Sequence, residues 1–391
     1  MNKWKSIKIA DIAISVNAGG TPRRDKKEYW ENGNIPWLKI SDIKSKYISE
    51  TEEFITEEGL RNSSAKLFPK GTLVFSIFAS LGSMCILKKE CTSNQAIAGI
   101  VPNKELIDTE YLYYCLKSEN KKIISKKNHA TQDNINLSIL RNHEIPLPPI
   151  ETQKKIVSIL EKAERLKDMR KEADTLTDDF LKSLFLEMFG DPVRNAKKWE
   201  VVQAQELFHM KLGKMLSAKN YTGKNLRPYL RNVNVQWGYL DLSDIKEMDF
   251  DAKELDRYLL KGGDILVCEG GEVGRTAIYN GEIKDCCYQN ALHRLRIKDD
   301  SINPHYFLYF MFFAVKYGLI QKDTIQVTIA HFTAEKFKKL NIVLPPIALQ
   351  NRFAEIVQKV EAIKEKQEKS GKDIDDLFSS LMQRAFKGEL V

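Results

Sequence analysis

A nine-residue pattern in this chain returns 197 positions later. Ile145-Pro146-Leu147-Pro148-Pro149-Ile150-Glu151-Thr152-Gln153 recurs as Ile342-Val343-Leu344-Pro345-Pro346-Ile347-Ala348-Leu349-Gln350. The same offset carries Asp178-Asp179-Phe180 onto Asp375-Asp376-Leu377, and Phe189 onto Phe386, without a gap. One half of the chain is a rewritten copy of the other. Such a chain does one thing twice, at two places.

Each copy of the pattern introduces a long helix. Pro-Pro stops the preceding strand, and apolar residues then recur at helical spacing over 151–189 and 348–387. A heptad seam can be written through Ile156, Ile159, Ala163, Leu166, Ala173, Phe180 and Leu184. Its counterpart runs through Phe353, Ile356, Val360, Ile363, Ile374, Leu377 and Leu381. Charged residues fill the other faces, so the two helices are expected to zip together along these seams. The middle is polar: Arg170 and Gln367 fall at equivalent positions, and Gly371 weakens the second helix.

The 391 residues suffice for two sizeable cores. The expected division is 1–150 and 191–346 as globular modules, with 151–190 and 347–391 as helical spacers. Pro36-Trp37-Leu38-Lys39 aligns with Pro228-Tyr229-Leu230-Arg231, and Gly71-Thr72-Leu73-Val74 with Gly263-Asp264-Ile265-Leu266. Asn94-Gln95-Ala96 resembles Gln289-Asn290-Ala291, and the aromatic stretch at 111–116 resembles that at 306–311. β-Branched runs bounded by Gly and Asn predict a mixed α/β (α+β) module rich in strands. The helices match more faithfully than the modules, as in a shared scaffold with two divergent heads.

Charge follows the same division. The segment 151–190 holds 8 basic and 9 acidic residues, and 347–387 holds 8 and 7. The excess lies in the modules: 22 basic against 17 acidic in 1–150, and 23 against 19 in 191–346. Two basic heads on neutral connectors suggest two contacts with a polyanion. No apolar run reaches the length of a membrane span, and no apolar core follows the N-terminus, so a cytoplasmic protein is expected. Six cysteines without Cys-x-x-Cys spacing read as buried hydrophobes.

Catalytic motifs are missing. Gly213-Lys214 and Gly223-Lys224 lack the spacing and hydroxyl of a phosphate-binding loop. Asn303-Pro304-His305-Tyr306 departs from an amino-methyltransferase motif and reads better as a helix start. Glu282 and Lys284 alone do not make a nuclease motif. No metal and no cofactor is expected. What remains is an inventory for nucleic acid: amides and guanidinium groups for base edges, cations and hydroxyls for phosphates. In the first module these are Arg23, Lys39, Ser76, Ser80, Asn94, Gln95, Lys126, Thr131 and Gln132. In the second they are Arg231, Asn232, Glu269, Arg275, Gln289, Asn290, His293, Gln326 and Thr328.

With its paired Pro-Pro-Ile-x-x-Gln entries, long helices ending in Asp-Asp-Phe/Leu-x-x-Ser-Leu, and the stretch Ile35-Pro36-Trp37-Leu38-Lys39-Ile40-Ser41-Asp42-Ile43, the chain resembles the specificity subunits of type I restriction–modification systems. The resemblance covers the whole chain. It implies two target-recognition domains, each reading half of a bipartite site in double-stranded DNA, and an antiparallel coiled coil that spaces them. It also implies docking of two methyltransferase subunits, with nuclease–translocase subunits in the full complex. Methylation and cleavage would belong to those partners. The alternative is a stand-alone methyltransferase or nuclease with unrecognised motifs. Because the modules differ strongly, two different half-sites are expected.

Overall fold

The structure, a computed structural model, describes residues 4–126, 128–129, 133–215, 222–320 and 333–391. The chain forms two compact units. The first combines 1–171 with 369–391, and the second is 172–368. Each long helix, Ile150–Phe189 and Ile347–Lys387, gives one half to each unit. Among the described residues no helix is long and apolar enough to cross a membrane.

In the first unit a five-stranded sheet runs in the order Ala13–Ala18, Ile97–Pro102, Leu73–Ser76, Met84–Leu87, Tyr47–Ile48. A three-stranded sheet runs Glu53–Ile55, Ile35–Leu38, Thr92–Ser93. Among the described residues the second unit repeats this plan without the last edge strand. Its sheets run Phe208–Leu212, Leu292–Ile297, Asp264–Cys268, Thr276–Tyr279 and Lys246–Asp249, Leu226–Leu230, Cys287–Tyr288. The register repeats too. Trp37 and Leu38 pair in parallel with Thr92 and Ser93, as Tyr229 and Leu230 do with Cys287 and Tyr288. The strands Leu73–Ser76 and Asp264–Cys268 are buried at every position, which explains their unbroken apolar runs. All six cysteines are free and buried.

A helix follows each larger sheet, Thr109–Ile124 in the first unit and Pro304–Lys316 in the second. Asp108 caps one through the Tyr111 N–H, and Asn303 caps the other through the His305 N–H, with Pro304 in the first turn. These head helices carry the aromatic runs inward: Tyr111, Tyr114, Tyr306, Phe307 and Phe310 are all buried.

The glutamine that ends each nine-residue pattern joins head to helix. Gln153 is fully buried. Its Oε1 accepts from the Asp108 N–H at 2.8 Å, and its Nε2 donates to the carbonyls of Leu106 at 3.0 Å and Pro148 at 2.8 Å. Gln350 does the same in the second unit, with the Asn303 N–H at 2.9 Å and the carbonyls of Ser301 at 3.2 Å and Pro345 at 2.7 Å. Each side chain satisfies three backbone groups that would otherwise be stranded where sheet, head helix and long helix meet.

Within each unit the two helix halves run antiparallel. In the first, Ile156, Leu160 and Ala163 share a core with Phe378, Met382 and Ala385, and Lys167 pairs with Asp375 at 2.6 Å. In the second, Leu181 and Phe185 share a core with Phe353, Val357 and Val360, and Asp178 pairs with Lys364. The seam written from the sequence needs correction. Ile156, Ala163, Phe353 and Val360 lie in it, and Ile159, Leu184, Ile356 and Leu381 sit at its margin. Leu166, Phe180, Ile363 and Leu377 are 46%, 50%, 49% and 47% exposed. The helices carry two apolar stripes, and hydrophobicity alone does not say which one faces the partner. The stripe that packs is interrupted by polar residues. Gln367 Nε2 donates to Thr177 Oγ1 at 3.2 Å, a polar pair of the kind that fixes register.

Candidate nucleic-acid interface

The parallel strand pair of each three-stranded sheet ends at a tight crossing. In the first unit the Asn94 N–H donates to the Leu38 carbonyl at 3.1 Å, one residue beyond the last strand pair. In the second the Gln289 N–H donates to the Leu230 carbonyl at 2.9 Å, at the same place. Asn94-Gln95 and Gln289-Asn290 therefore stand on equivalent strand ends. A glycine segment crosses each pair. The Gly20 N–H reaches the Ser93 carbonyl at 2.8 Å, and the Lys214 N–H reaches the Tyr288 carbonyl at 3.1 Å. A Cβ on Gly19 would lie 2.3 Å from the Ser93 carbonyl oxygen, and one on Gly213 would lie 2.3 Å from that of Gln289, so only glycine allows the approach.

Side chains around these ends are held in place. Asn94 Oδ1 accepts from the Ala96 N–H at 3.1 Å, and Thr21 Oγ1 bonds the exposed Gln95. Lys39 and Arg231 both start a short 3-10 turn. Lys39 pairs with Glu52 at 3.0 Å and Glu53 at 2.9 Å, and these hydrogen bonds, Glu53 first, raise its pKa. Arg231 pairs with Asp244 at 2.7 Å. Arg275 donates to the Asn232 carbonyl at 2.7 Å and pairs with Glu272 at 3.3 Å, so the turn that holds Asn232 meets the loop that holds Arg275. Arg23 is exposed beside Asp25 at 2.6 Å. Lys126 is exposed just beyond the first head helix.

Two expected contact residues have structural places instead. Ser76 is fully buried, and its hydroxyl receives the Ser83 N–H at 2.8 Å and donates to the Ser80 carbonyl; Ser80 itself is exposed. This closes the 76–83 turn, whose second-unit counterpart closes through the Gly274 N–H to the Cys268 carbonyl at 2.9 Å. His293 is 1% exposed, lies 3.9 Å from the partly buried Glu269, and packs edge-on against Phe337. Both sit on inward strand positions, so neither reaches a ligand at the surface. Thr131, Gln132, Gln326 and Thr328 lie outside the described residues.

Other polar anchors become evident only in three dimensions. Arg24 stacks 3.7 Å over Trp30 and also pairs with Glu53. Lys214, read from the sequence only as a failed phosphate loop, is buried. Its Nζ reaches the Asp249 carbonyl and the Glu254 carboxylate, each at 2.6 Å. The Asp249 carboxylate receives the N–H groups of Asn225, Gly223 and Thr222, which hold its pKa down at about 2. Its nearness to Gly213 gives Lys214 a signal, since the lysine follows the glycine that crosses the strand ends.

The arrangement presents two amide pairs on equivalent rigid strand ends, each with arginine or lysine beside it. Comparison with known proteins agrees with this plan. The model of the type I restriction modification DNA specificity domain matches residues 1–174 and again 196–371. The specificity subunit of the type I restriction enzyme MjaIX of Methanocaldococcus jannaschii is 28% identical over 384 residues, covering 91% of this chain and 86% of that protein. The EcoR124I/EcoR124II specificity subunit of Escherichia coli is 32% identical over 154 residues, 38% of each chain. A solved type I R-M system chain aligns with a TM-score of 0.67 at 19% identity, over 99% of this chain and 98% of its own. The S subunit from M. genitalium aligns at 0.56 and 15%, over 98% and 96%. With one family model matched once on each head, and one strand order built twice, the chain belongs to the type I restriction-modification DNA specificity family.

Proposed function

We propose that residues 1–150 and 191–346 each read one half of an asymmetric bipartite site in double-stranded DNA. The observation that carries this is the equivalent placement of Asn94-Gln95 and Gln289-Asn290 on the two strand ends. Asn and Gln amides match the donor and acceptor of an adenine edge in the major groove, and neighbouring Arg and Lys suit guanine or phosphate. The different amide order in the two heads argues for different half-sites. Pairs such as Arg23 with Asp25, Lys39 with Glu52, and Arg231 with Asp244 would exchange their carboxylates for phosphates on binding.

Segments 151–190 and 347–391 would act as the spacer between half-sites and as the seat of two methyltransferase subunits. Apolar side chains left outside the seam support partners there: Leu166 and Met169 are large and exposed in the first unit, and Leu176 and Phe180 in the second. Nuclease–translocase subunits would join in the full cytoplasmic complex. Methyl transfer and strand cleavage would be theirs, with this chain supplying no catalytic group.

Gln289→Ala relaxes discrimination at one half-site by about 1–3 kcal/mol and leaves the other untouched. Binding competition with each half-site permuted reads this out. Equal loss at both halves contradicts independent heads. Adding one matched heptad to both long helices changes the preferred spacer and keeps both half-sites, because seven helical residues add roughly 10 Å, about three base pairs of DNA. Selection from a spacer-randomised pool checks this, and an unchanged spacer rules out the ruler.

A further inference from the structure

Each unit has a cleft beside its head helix, and the two clefts differ in the charged groups that fill them. The first, of about 720 Å³, is walled by Tyr47, Tyr113, Lys117, Glu161 and Glu164. It is occupied from within. Lys46 Nζ reaches Glu161 at 2.8 Å and the Tyr114 hydroxyl at 3.1 Å, and lies 4.4 Å from the Tyr114 ring centre and 5.2 Å from that of Tyr47. Lys117 Nζ reaches Glu164 at 2.7 Å, and the Tyr114 hydroxyl donates to Glu164 at 2.6 Å. Two cations of the chain thus satisfy two carboxylates inside an aromatic box.

The second cleft, of about 680 Å³, keeps part of this box but has no counterpart of Lys46 or Lys117, and Glu161 falls at Gln358. Trp237, Tyr239, Tyr309, Phe312, Glu361 and Glu365 line it. The equivalent glutamine staples set the alignment. Glu164 corresponds to Glu361, and Tyr114 to Tyr309. Lys117 becomes Phe312, and Lys46 falls at Gly238 when counted from the matched strands Ile35–Leu38 and Leu226–Leu230. Among the described residues, no hydrogen bond or ion pair reaches the Glu361 carboxylate. The cations nearby are engaged elsewhere. Lys364 pairs with Asp178, and Lys182 lies 3.5 Å from Asp179 and 5.5 Å from the Phe312 ring centre.

We propose that this second cleft receives a basic side chain, an arginine, from a protein partner. The Glu164 carboxylate is kept as Glu361, the two lysines that fill the first cleft have no counterpart, and Trp237 and Phe312 join Tyr239 and Tyr309 in the aromatic wall. A planar guanidinium stacks on such walls while forking onto a carboxylate, which an ammonium does less well. The lining carries Asp178, Glu282, Glu361, Glu365 and Glu368 against Lys182 and Lys364, and this acidic excess would repel phosphate, so the occupant is protein and not DNA. The cleft exceeds the size of one guanidinium and admits the side chain with its flanking backbone. The inference stands independently of which bases the heads read.

The test uses the full chain with 15N-labelled tryptophan, following the Trp237 indole signal assigned with Trp237→Phe. N-acetyl-arginine amide is titrated against its neutral isostere N-acetyl-citrulline amide. Arginine amide is expected to saturate in the millimolar range and citrulline amide to leave the signal unmoved. Glu361→Gln should weaken arginine binding by about fivefold or more. Glu164→Gln, in the first unit, should leave it unchanged. Phe312→Lys, which copies Lys117, should block the cleft; if that variant does not fold, Glu361→Gln still decides. No saturation with the unaltered chain, or equal affinity in Glu361→Gln, overturns the proposal. So does guanidinium ion binding as tightly as arginine amide, since the site would then be one for a small cation.

Discussion

Gln153→Leu destabilises the first unit by about 3 kcal/mol or more, and Gln350→Leu does the same to the second. Each change removes three hydrogen bonds and strands an N–H and two carbonyls in a buried corner, at about 1–3 kcal/mol for each group left without a partner. Leucine fills most of the volume, so the loss reports the polar staple and not a cavity. Gln153→Glu is expected to fare no better, because a carboxylate cannot donate to the Leu106 and Pro148 carbonyls. Denaturant unfolding followed by backbone hydrogen exchange at Asp108 and Asn303 separates the two units. A loss below about 1 kcal/mol in both variants, with exchange at these amides unchanged, would sink the staple as the reason for the repeated glutamine.

The second large effect belongs to one unit alone. Asp264 is 1% exposed, and its two oxygens accept from Arg296 Nε and Nη2 at 2.7 Å each, while the Lys261 N–H donates to it at 2.8 Å. Asp264→Ala leaves the guanidinium half-buried without its partner, at about 3–5 kcal/mol. The first unit solves the same turn without charge. Thr72 takes the place of Asp264, its hydroxyl donating to the Pro69 carbonyl at 2.7 Å. The register that sets Asp264 beside Arg296 sets Thr72 beside Val101. Asp264→Thr combined with Arg296→Val therefore copies the first unit and is expected to recover most of the loss. Thermal unfolding of the single and double variants measures the coupling. Additive losses would show that the ion pair is not the source of the effect.

The sequence alone determined the plan of this protein, because that plan rests on local signals stated twice. Pro148-Pro149 and Pro345-Pro346 end strands and precede helices whatever surrounds them, and the apolar period carries each helix to Phe189 or Lys387. The alignment of Asn94-Gln95 with Gln289-Asn290 also held in space, since each pair sits one step beyond a strand whose own sequence is recognisable. The tertiary structure decided what needs a distant neighbour. Leu166 and Leu160 are equally apolar, and only packing against the second helix and the head buries one and exposes the other. Ser76 and His293 are polar residues on inward strand positions, and their removal from the surface comes from the sheet that covers them. Glu164 and Glu361 match in the repeat, yet the cation that answers the first comes from Lys117, far away in the chain. A periodic pattern specifies an element and its faces; which face is covered, and by what charge, is settled by contacts between segments that the pattern does not contain.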